Sequence, residues 1–264
     1  MIKKNYLHVL WRAPAMVLWI LFMPLLFSLV RLTGFKGYKA LPHYFHRGVQ
    51  IILGLRVSFS GEQSRFKPTL FVSNHISYLD VFVLGEVRAY FIAKSEVANW
   101  PVLGVLARFQ NTLFFARDKV KARQQLATMQ EHLARHKSLI LFAEGTSTEG
   151  THVETFKSSL FAAANLSSPT QRVVIQPITV AYTHQAGRKM DQETRDYYAW
   201  YARMPFWPHF KTLFTLQNVS VKVHFHPVCY LEDFKTRKLC AQHCQKMVAD
   251  RLNELNSEEP GDVS

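Results

Sequence analysis

The sequence predicts one α/β domain built on a single mixed sheet flanked by helices, preceded by an apolar N-terminal segment. Short apolar runs that suit buried strands alternate with amphipathic stretches that suit helices, which is typical of a sheet covered by helices. The 264 residues contain no Gly/Ser-rich or Pro-rich linker and no internal repeat, so we expect one core. We assign 1–34 to the apolar segment, 35–256 to the domain and 257–264 to a disordered tail.

Local patterns place each element along the chain. A mixed basic and aromatic helix is expected at 38–52, ending near Gly54. Alternating or continuous apolar runs predict strands at 55–60, 69–73, 90–93, 112–116, from 139, 172–182 and 219–226. Partly helical apolar spacing predicts helices at 118–136, 156–161 and 233–255.

The N-terminal segment has the composition of a membrane-associating helix. Residues 13–30 are uncharged and mostly apolar, and basic residues lie on both sides. This length is at the lower limit for a spanning helix, and Pro14 and Pro24 are expected to break or kink it. We therefore expect a helix or helical hairpin that dips into one leaflet, with a full span and a buried core helix as alternatives. No good signal-peptide cleavage site follows, so we expect the segment to be retained.

Charge and cysteine content limit the kinds of binding partner and the cell compartment that we expect. The net charge of +13 favours acidic partners such as a phospholipid surface, phosphorylated substrates or nucleic acid. No zinc-finger or RNP pattern is present, so we expect no nucleic-acid partner. Three cysteines, Cys229, Cys240 and Cys244, suit a reducing cytoplasmic compartment better than a disulfide framework. Cys240 and Cys244 are one helical turn apart, but we expect core packing rather than a metal site.

A histidine and an aspartate five residues apart follow the apolar run at 70–72. This order places His75 in the turn that leaves a buried strand and Asp80 in the first turn of the next helix. The carboxylate could then hold one imidazole nitrogen while the other faces a cleft, as in a general base with its orienting acid. Alternatively, Ser77 and Asp80 form a capping box, in which Asp80 only accepts from backbone N–H groups.

A second polar turn follows another apolar run at 139–142. Glu144, Gly145 and Thr146 leave this strand and would expose backbone N–H groups and a carboxylate at the sheet edge. Because strand-end loops carry the ligands in open α/β sheets, we expect both turns to belong to one site.

Together these motifs resemble the glycerolipid acyltransferase family over roughly residues 50–230. Four motifs occur in the family order: NHISYLD at 74–80, NTLFFAR at 111–117, FAEGTST at 142–148 and VVIQPI at 173–178. Three positions depart from the family pattern. Asn111 replaces a glycine, Ala143 a proline and Ser147 an arginine, and the last change removes a fixed cation from the expected head-group site.

The resemblance implies acyl transfer from acyl-CoA or acyl carrier protein to a lipid hydroxyl, without a metal or redox cofactor. His75 would take the hydroxyl proton, Asp80 would fix its tautomer, and N–H groups around Gly145 and Thr146 would hold the oxyanion. The implied substrate-binding residues are Arg117, Glu144, Gly145, Thr146, Lys157 and Pro177. Among these, Arg117 suits a phosphate unless it only pairs with Asp118 or Glu144, and Lys157 contacts a phosphate unless it is simply solvated.

The first acceptor that we expect is 1-acylglycerol-3-phosphate, which would give phosphatidic acid at the cytoplasmic face of the inner membrane. The alternative is a lyso-ornithine lipid, because FKSSLF at 156–161, QPITVAY at 176–182, AWY at 199–201 and FHPV at 225–228 resemble that branch. A catalytically inactive membrane-binding protein is a further alternative. Serine hydrolysis at GTSTE, 145–149, lacks the final glycine of a nucleophile elbow.

Overall fold

A mixed β-sheet forms the centre of the computed structural model, which describes residues 4–100, 103–116, 118, 120–166 and 171–258. Its strands are β1 Leu55–Ser60, β2 Thr69–Ser73, β3 Tyr90–Lys94, β4 Leu113–Phe115, β5 Leu139–Phe142, β6 Val174–Gln185, β7 Arg188–Lys189 and β8 Val219–Phe225. The helices are α1 Leu7–Leu32, α2 Leu41–Leu53, α3 Asp80–Val83, α4 Leu103–Phe109, α5 Ala122–Ala134, α6 Ser158–Phe161, α7 Gln192–Arg195, α8 Phe206–Leu213 and α9 Arg237–Ser257.

The strand order is β1-β8-β6-β2-β5-β3-β4, and the short β7 pairs with β6. Strands β6 and β8 are antiparallel, as are β6 and β7, and the other neighbours are parallel. The prediction of a mixed sheet is therefore confirmed. Strand β2 lies near the middle of the sheet and is buried along its whole length, so its carboxyl end opens among neighbouring strands.

Side chains on the two faces of the sheet enter two separate hydrophobic clusters. Along β2, Phe71 joins the cluster that includes side chains of α1, α2, α3 and α8, whereas Leu70 and Val72 join the cluster that includes side chains of α5, α6 and α9. This alternation follows from the period of two in a strand. Helices therefore cover both faces, and the strand ends are left to carry polar groups.

Helix α1 runs without interruption through both of its prolines. The helix has 26 residues and is about 39 Å long, so the single helix of the two predicted forms is present and the hairpin and the break are wrong. Its length and composition would allow it to cross a membrane, and 17 % of its most apolar stretch is buried. Met16 and Met23 pack against the domain, while Leu18 and Leu21 are exposed. This exposure disagrees with a buried core helix and leaves an apolar face for a membrane.

Most predicted elements are present, with shifted ends. Strands β1 and β2 have the predicted bounds, and α2 ends at Leu53 because Gly54 adopts a left-handed φ of +73°. Helix α9 begins later than predicted, since Thr236 caps it by accepting from the Leu239 N–H. Strand β7 and helices α4, α7 and α8 were not predicted. Of the predicted tail, Ser257 is still helical, and 259–264 lie outside the described residues.

Candidate active site

His75 lies two residues beyond the end of strand β2 and is hydrogen-bonded to the first residue of α3. Its Nδ1 lies 2.8 Å from Oδ2 of Asp80. An ionised carboxylate only accepts hydrogen bonds, so Nδ1 carries the proton and Nε2 is the basic nitrogen. The Asp80 side chain is fully buried, whereas 21 % of the His75 side chain is exposed. The pair thus keeps the carboxylate in the interior and leaves part of the imidazole exposed, as the predicted base requires.

Asp80 also holds the turn and contacts a tyrosine from a distant strand. Its Oδ2 accepts from the backbone N–H groups of Ile76, at 2.7 Å, and Ser77, at 3.0 Å. Its Oδ1 accepts from the hydroxyl of Tyr182 in β6 at 2.9 Å. Burial and the nearby carboxylate raise the pKa of Tyr182, which therefore stays a donor.

The alternative that Asp80 only caps the helix accounts for its backbone contacts but not for its contact with His75. Asp80 does satisfy backbone donors, but it binds the imidazole with the same oxygen. The Ser77 hydroxyl is buried and has no hydrogen-bond partner among the described residues, so no reciprocal capping box forms. Orientation of His75 and support of the turn are therefore two functions of one carboxylate.

An aromatic ring fixes the plane of the imidazole. The Phe142 ring, at the end of β5, stacks on His75 with centroids 4.0 Å apart and an interplanar angle of 19°. Asn74, beside the histidine, clamps β2 to β6 because its amide bonds both the N–H and the carbonyl of Val180. The first motif therefore combines the base with a structural residue.

Glu144 joins the two motif turns through their backbones. The side chain is buried, and Oε1 accepts from the His75 N–H at 2.6 Å while Oε2 accepts from the Glu154 N–H at 2.7 Å. Desolvation by burial raises the pKa of Glu144 to about 8. These contacts make Glu144 an orienting residue, and a contact with substrate stays a prediction.

The turn at Gly145 brings a lysine to the site, but one of the N–H groups expected to bind the oxyanion is already hydrogen-bonded within the turn. Gly145 has a φ of +67°, and its N–H donates to the Phe142 carbonyl at 3.0 Å. We therefore withdraw the Gly145 N–H as an oxyanion donor. The Thr146 N–H, on an exposed residue, forms no hydrogen bond within the described part of the chain and remains the candidate. The ammonium of Lys157 lies against the α-carbon of Gly145, where a β-carbon would overlap it.

The remaining predicted residues have different positions. Pro177 is buried in β6 opposite Val72, inside the sheet, so a direct contact with substrate stays a prediction. Arg117 lies outside the described residues, and its phosphate contact also stays a prediction. Ser147, which replaces the family arginine, donates its hydroxyl to the Trp200 carbonyl at 2.7 Å.

An aromatic cluster adjoins residues 74–80, which we call the catalytic turn because they include the predicted base and its aspartate. We use this name for Tyr78, Trp100, Trp200 and Phe206, whose contacting rings have centroids 4.9–6.4 Å apart. The cluster is joined to the turn because the backbone N–H of Trp200 donates to the Ile76 carbonyl at 2.9 Å. The sequence signalled this surface only weakly, through the aromatic residues near 199–201.

The fold and the site hold a part-exposed histidine against a buried aspartate, beside an aromatic surface. The model of the Acyltransferase family matches residues 56–181. A lyso-ornithine lipid O-acyltransferase of Rhodobacter capsulatus is 38% identical over 205 residues, which cover 77% of this chain and 72% of that protein. A 1-acyl-sn-glycerol-3-phosphate acyltransferase of Neisseria gonorrhoeae is 33% identical over 97 residues, covering 36% of this chain and 38% of that protein.

The chain belongs to the acyltransferase family of glycerolipid enzymes. The fold is also that of the 1-acyl-sn-glycerophosphate acyltransferase PlsC from Thermotoga maritima. That crystal structure has a TM-score of 0.70 at 19% identity, covering 96% of this chain and 97% of the other. Together with the exposed apolar face of α1, the family indicates association with a membrane.

Proposed function

We propose that this enzyme transfers a fatty acyl chain to the hydroxyl of a lyso-ornithine lipid. The observation that carries acyl transfer is the chain of contacts from His75 through Asp80 to Tyr182. Similarity supports the acceptor, since proteins named for lyso-ornithine lipid match 77% and 82% of this chain. Proteins named for 1-acyl-sn-glycerol-3-phosphate match 36% and 64%. This order reverses our first expectation from sequence.

The proposed reaction begins with deprotonation of the acceptor. Nε2 of neutral His75 takes the hydroxyl proton while the oxygen attacks the thioester carbonyl, and Asp80 stabilises the resulting imidazolium. The tetrahedral oxyanion receives the Thr146 N–H as a hydrogen-bond donor. When the intermediate collapses, the carbon–sulfur bond breaks and the imidazolium returns its proton to the leaving thiolate. The histidine is then neutral again.

The acceptor and donor meet at a membrane surface in this proposal. The exposed leucines of α1 enter the apolar layer, and the positive net charge attracts anionic phospholipid head groups. We place the enzyme at the cytoplasmic face of the inner membrane. Acyl-CoA or acyl carrier protein would supply the thioester from the aqueous side.

Lysophosphatidate is the second candidate acceptor, because the second motif retains Arg117. The serine at 147 bears on the choice, since its hydroxyl is already bonded to Trp200 and supplies no positive charge for a phosphate. A lyso-ornithine lipid has no phosphate, so its recognition does not require that cation.

A lysolipid competition assay with purified full-length protein tests the proposal. Wild type should prefer lyso-ornithine lipid, and Ser147→Arg should shift preference toward lysophosphatidate. Arg117→Ala should keep the rate of the lyso-ornithine reaction within about twofold of wild type. If lysophosphatidate is the acceptor, the variant should instead raise the KM for that lipid by roughly 10- to 150-fold, as expected for a lost charged hydrogen bond. Preference of the wild type for lysophosphatidate would reject the acceptor assignment. Failure to acylate either lipid would favour a non-catalytic membrane-binding protein.

A further inference from the structure

All three cysteines of the chain meet in one buried cluster, away from the catalytic turn. Cys240 and Cys244 lie one turn apart on α9. Cys229 follows β8, and its segment pairs with β6, because the N–H and carbonyl of Cys229 each bond Ile175 at 2.9 Å. Cys240 and Cys244 are 0 % exposed and Cys229 is 9 % exposed. Backbone pairing therefore brings a third thiol to the helical pair.

The spacing of the sulfurs suits a single metal ion. The three Sγ atoms lie within 4.8 Å of one another, and those of Cys229 and Cys244 are 4.0 Å apart. An ion bonded to three sulfurs in a plane, at about 2.3 Å from each, holds the sulfurs about 4.0 Å apart. One pair already has this separation, and the other pairs need to close by less than about 1 Å, which side-chain rotation can supply.

The three sulfurs form a soft donor set that would give a bound ion three ligands. Among the described residues, no histidine, aspartate or glutamate has a ligand atom that joins the three sulfurs. Thiolates select soft ions, and zinc normally takes a fourth ligand. The three cysteines belong to a buried hydrophobic cluster that also contains Phe161, Val173 and Val248, and His243 and Asp233 are the other titratable groups that act on Cys229.

Cys229 is the most exposed of the three thiols, and its Sγ lies 4.0 Å from the Sγ of Cys244. An ion that enters from the surface therefore meets Cys229 first.

We propose that Cys229, Cys240 and Cys244 bind one thiophilic d¹⁰ metal ion in three-coordinate geometry, and that Cu(I) is the ion that fits. Three S–H bonds break as three metal–sulfur bonds form, and the three protons pass to solvent. No electron is transferred, because the ion enters as Cu(I). The bound ion ties α9 to the Cys229 segment, which pairs with β6. Helix α9 in turn reaches the third-motif loop, 149–154, where the Asn256 side chain donates to the Gly150 carbonyl at 3.0 Å.

Competition for Cu(I) under anaerobic conditions tests this site. The fully reduced full-length protein is titrated with Cu(I) held by a chromogenic chelator, and X-ray absorption measures the number of sulfur ligands. We expect one Cu(I) per chain, three sulfurs around it, and a higher thermal unfolding midpoint with Cu(I) than without it. Because the chain has only three cysteines, any thiolate signal must come from this cluster.

Variants and a matched control make the test specific. Each single Cys→Ala variant should lose at least tenfold in Cu(I) affinity, whereas Val248→Ala, which opens space in the same core, should retain it. If a Cys→Ala variant does not fold, alkylation of the wild type replaces it, and Cu(I) should protect all three thiols.

Three results would overturn the proposal. The first is no retention of Cu(I) by wild type against the chelator. The second is equal affinity in wild type and the cysteine variants. The third is tight retention of Zn(II) without Cu(I), since that would require a fourth ligand.

Discussion

Replacement of Asp80 by asparagine should lower turnover without disturbing the catalytic turn. The two backbone N–H groups of Ile76 and Ser77 point at one side of the Asp80 side chain and demand an acceptor there. The asparagine carbonyl must therefore take the place of Oδ2. Its NH₂ group then faces the Tyr182 hydroxyl, which can reverse its role and accept.

This orientation keeps the His75 tautomer and removes only the negative charge. Nδ1 still donates to an oxygen, so Nε2 remains the basic nitrogen. What is lost is the charge that stabilises the imidazolium as the proton is transferred. A hydrogen bond to a charged group contributes about 1.5–3 kcal/mol, which corresponds to a decrease in kcat of roughly 10- to 150-fold.

The assay is steady-state release of the donor thiol with lyso-ornithine lipid as acceptor, accompanied by circular dichroism. Tyr182→Phe serves as the companion variant, because it removes the other contact of the same carboxylate and keeps the charge. We expect a smaller loss from it than from Asp80→Asn. Turnover of Asp80→Asn within twofold of wild type would refute the role of the charge. A loss well above about 150-fold, with the fold intact, would refute the preserved tautomer.

Three further predictions concern stability and membrane binding. Since burial raises the pKa of Glu144 from 4.5 to about 8, the folded state keeps a proton that the unfolded state releases between these values. The free energy of unfolding should fall as pH rises through this window, by at most about 1.4 kcal/mol per pH unit, and chemical denaturation of Glu144→Gln should lack this slope. Gly145→Ala should lower the thermal midpoint slightly more than Gly187→Ala: both glycines have positive φ, and at Gly145 the added carbon also displaces the flexible end of Lys157. A larger loss in Gly187→Ala than in Gly145→Ala would contradict that contact. Replacing three exposed leucines of α1, Leu18, Leu21 and Leu25, by asparagine should weaken co-sedimentation with anionic vesicles and leave the circular dichroism spectrum nearly unchanged. Unchanged binding would contradict membrane contact by this face.

Local patterns were enough to find the strands and the base. Strands β1 and β2 have the predicted bounds because each is an apolar or alternating run ended by polar or turn-forming residues. The spacing of His75 and Asp80 also depends on local geometry, since one turn joins the strand to α3. The prediction of their contact is confirmed by the 2.8 Å hydrogen bond.

Contacts that depend on sheet pairing were beyond the local patterns. Tyr182 reaches Asp80 from 102 positions away because β6 lies beside β2, and Cys229 reaches the cysteines of α9 for a similar reason. A buried tyrosine needs a hydrogen-bond partner for its hydroxyl. The sequence therefore indicated that Tyr182 has a partner, but not which residue it is.

Both α1 and α8 contain prolines, and in α1 the proline rule misled the prediction. Pro14 and Pro24 were expected to interrupt α1, yet a long apolar helix continues through both, as membrane helices tolerate. Pro208 lies in the first turn of α8, where its missing N–H has no intrahelical partner to lose. Both cases show that the cost of a proline depends on its position and surroundings.

Turnover of the His75→Ala variant tests the central claim most directly. With lyso-ornithine lipid and an acyl thioester, we predict a 10²- to 10⁴-fold decrease in kcat, roughly the contribution of a positioned base, with an unchanged circular dichroism spectrum. The matched control is His152→Ala, which removes an exposed histidine from the third-motif loop and should retain turnover. Turnover of His75→Ala within a few-fold of wild type would contradict the assignment of His75 as the base.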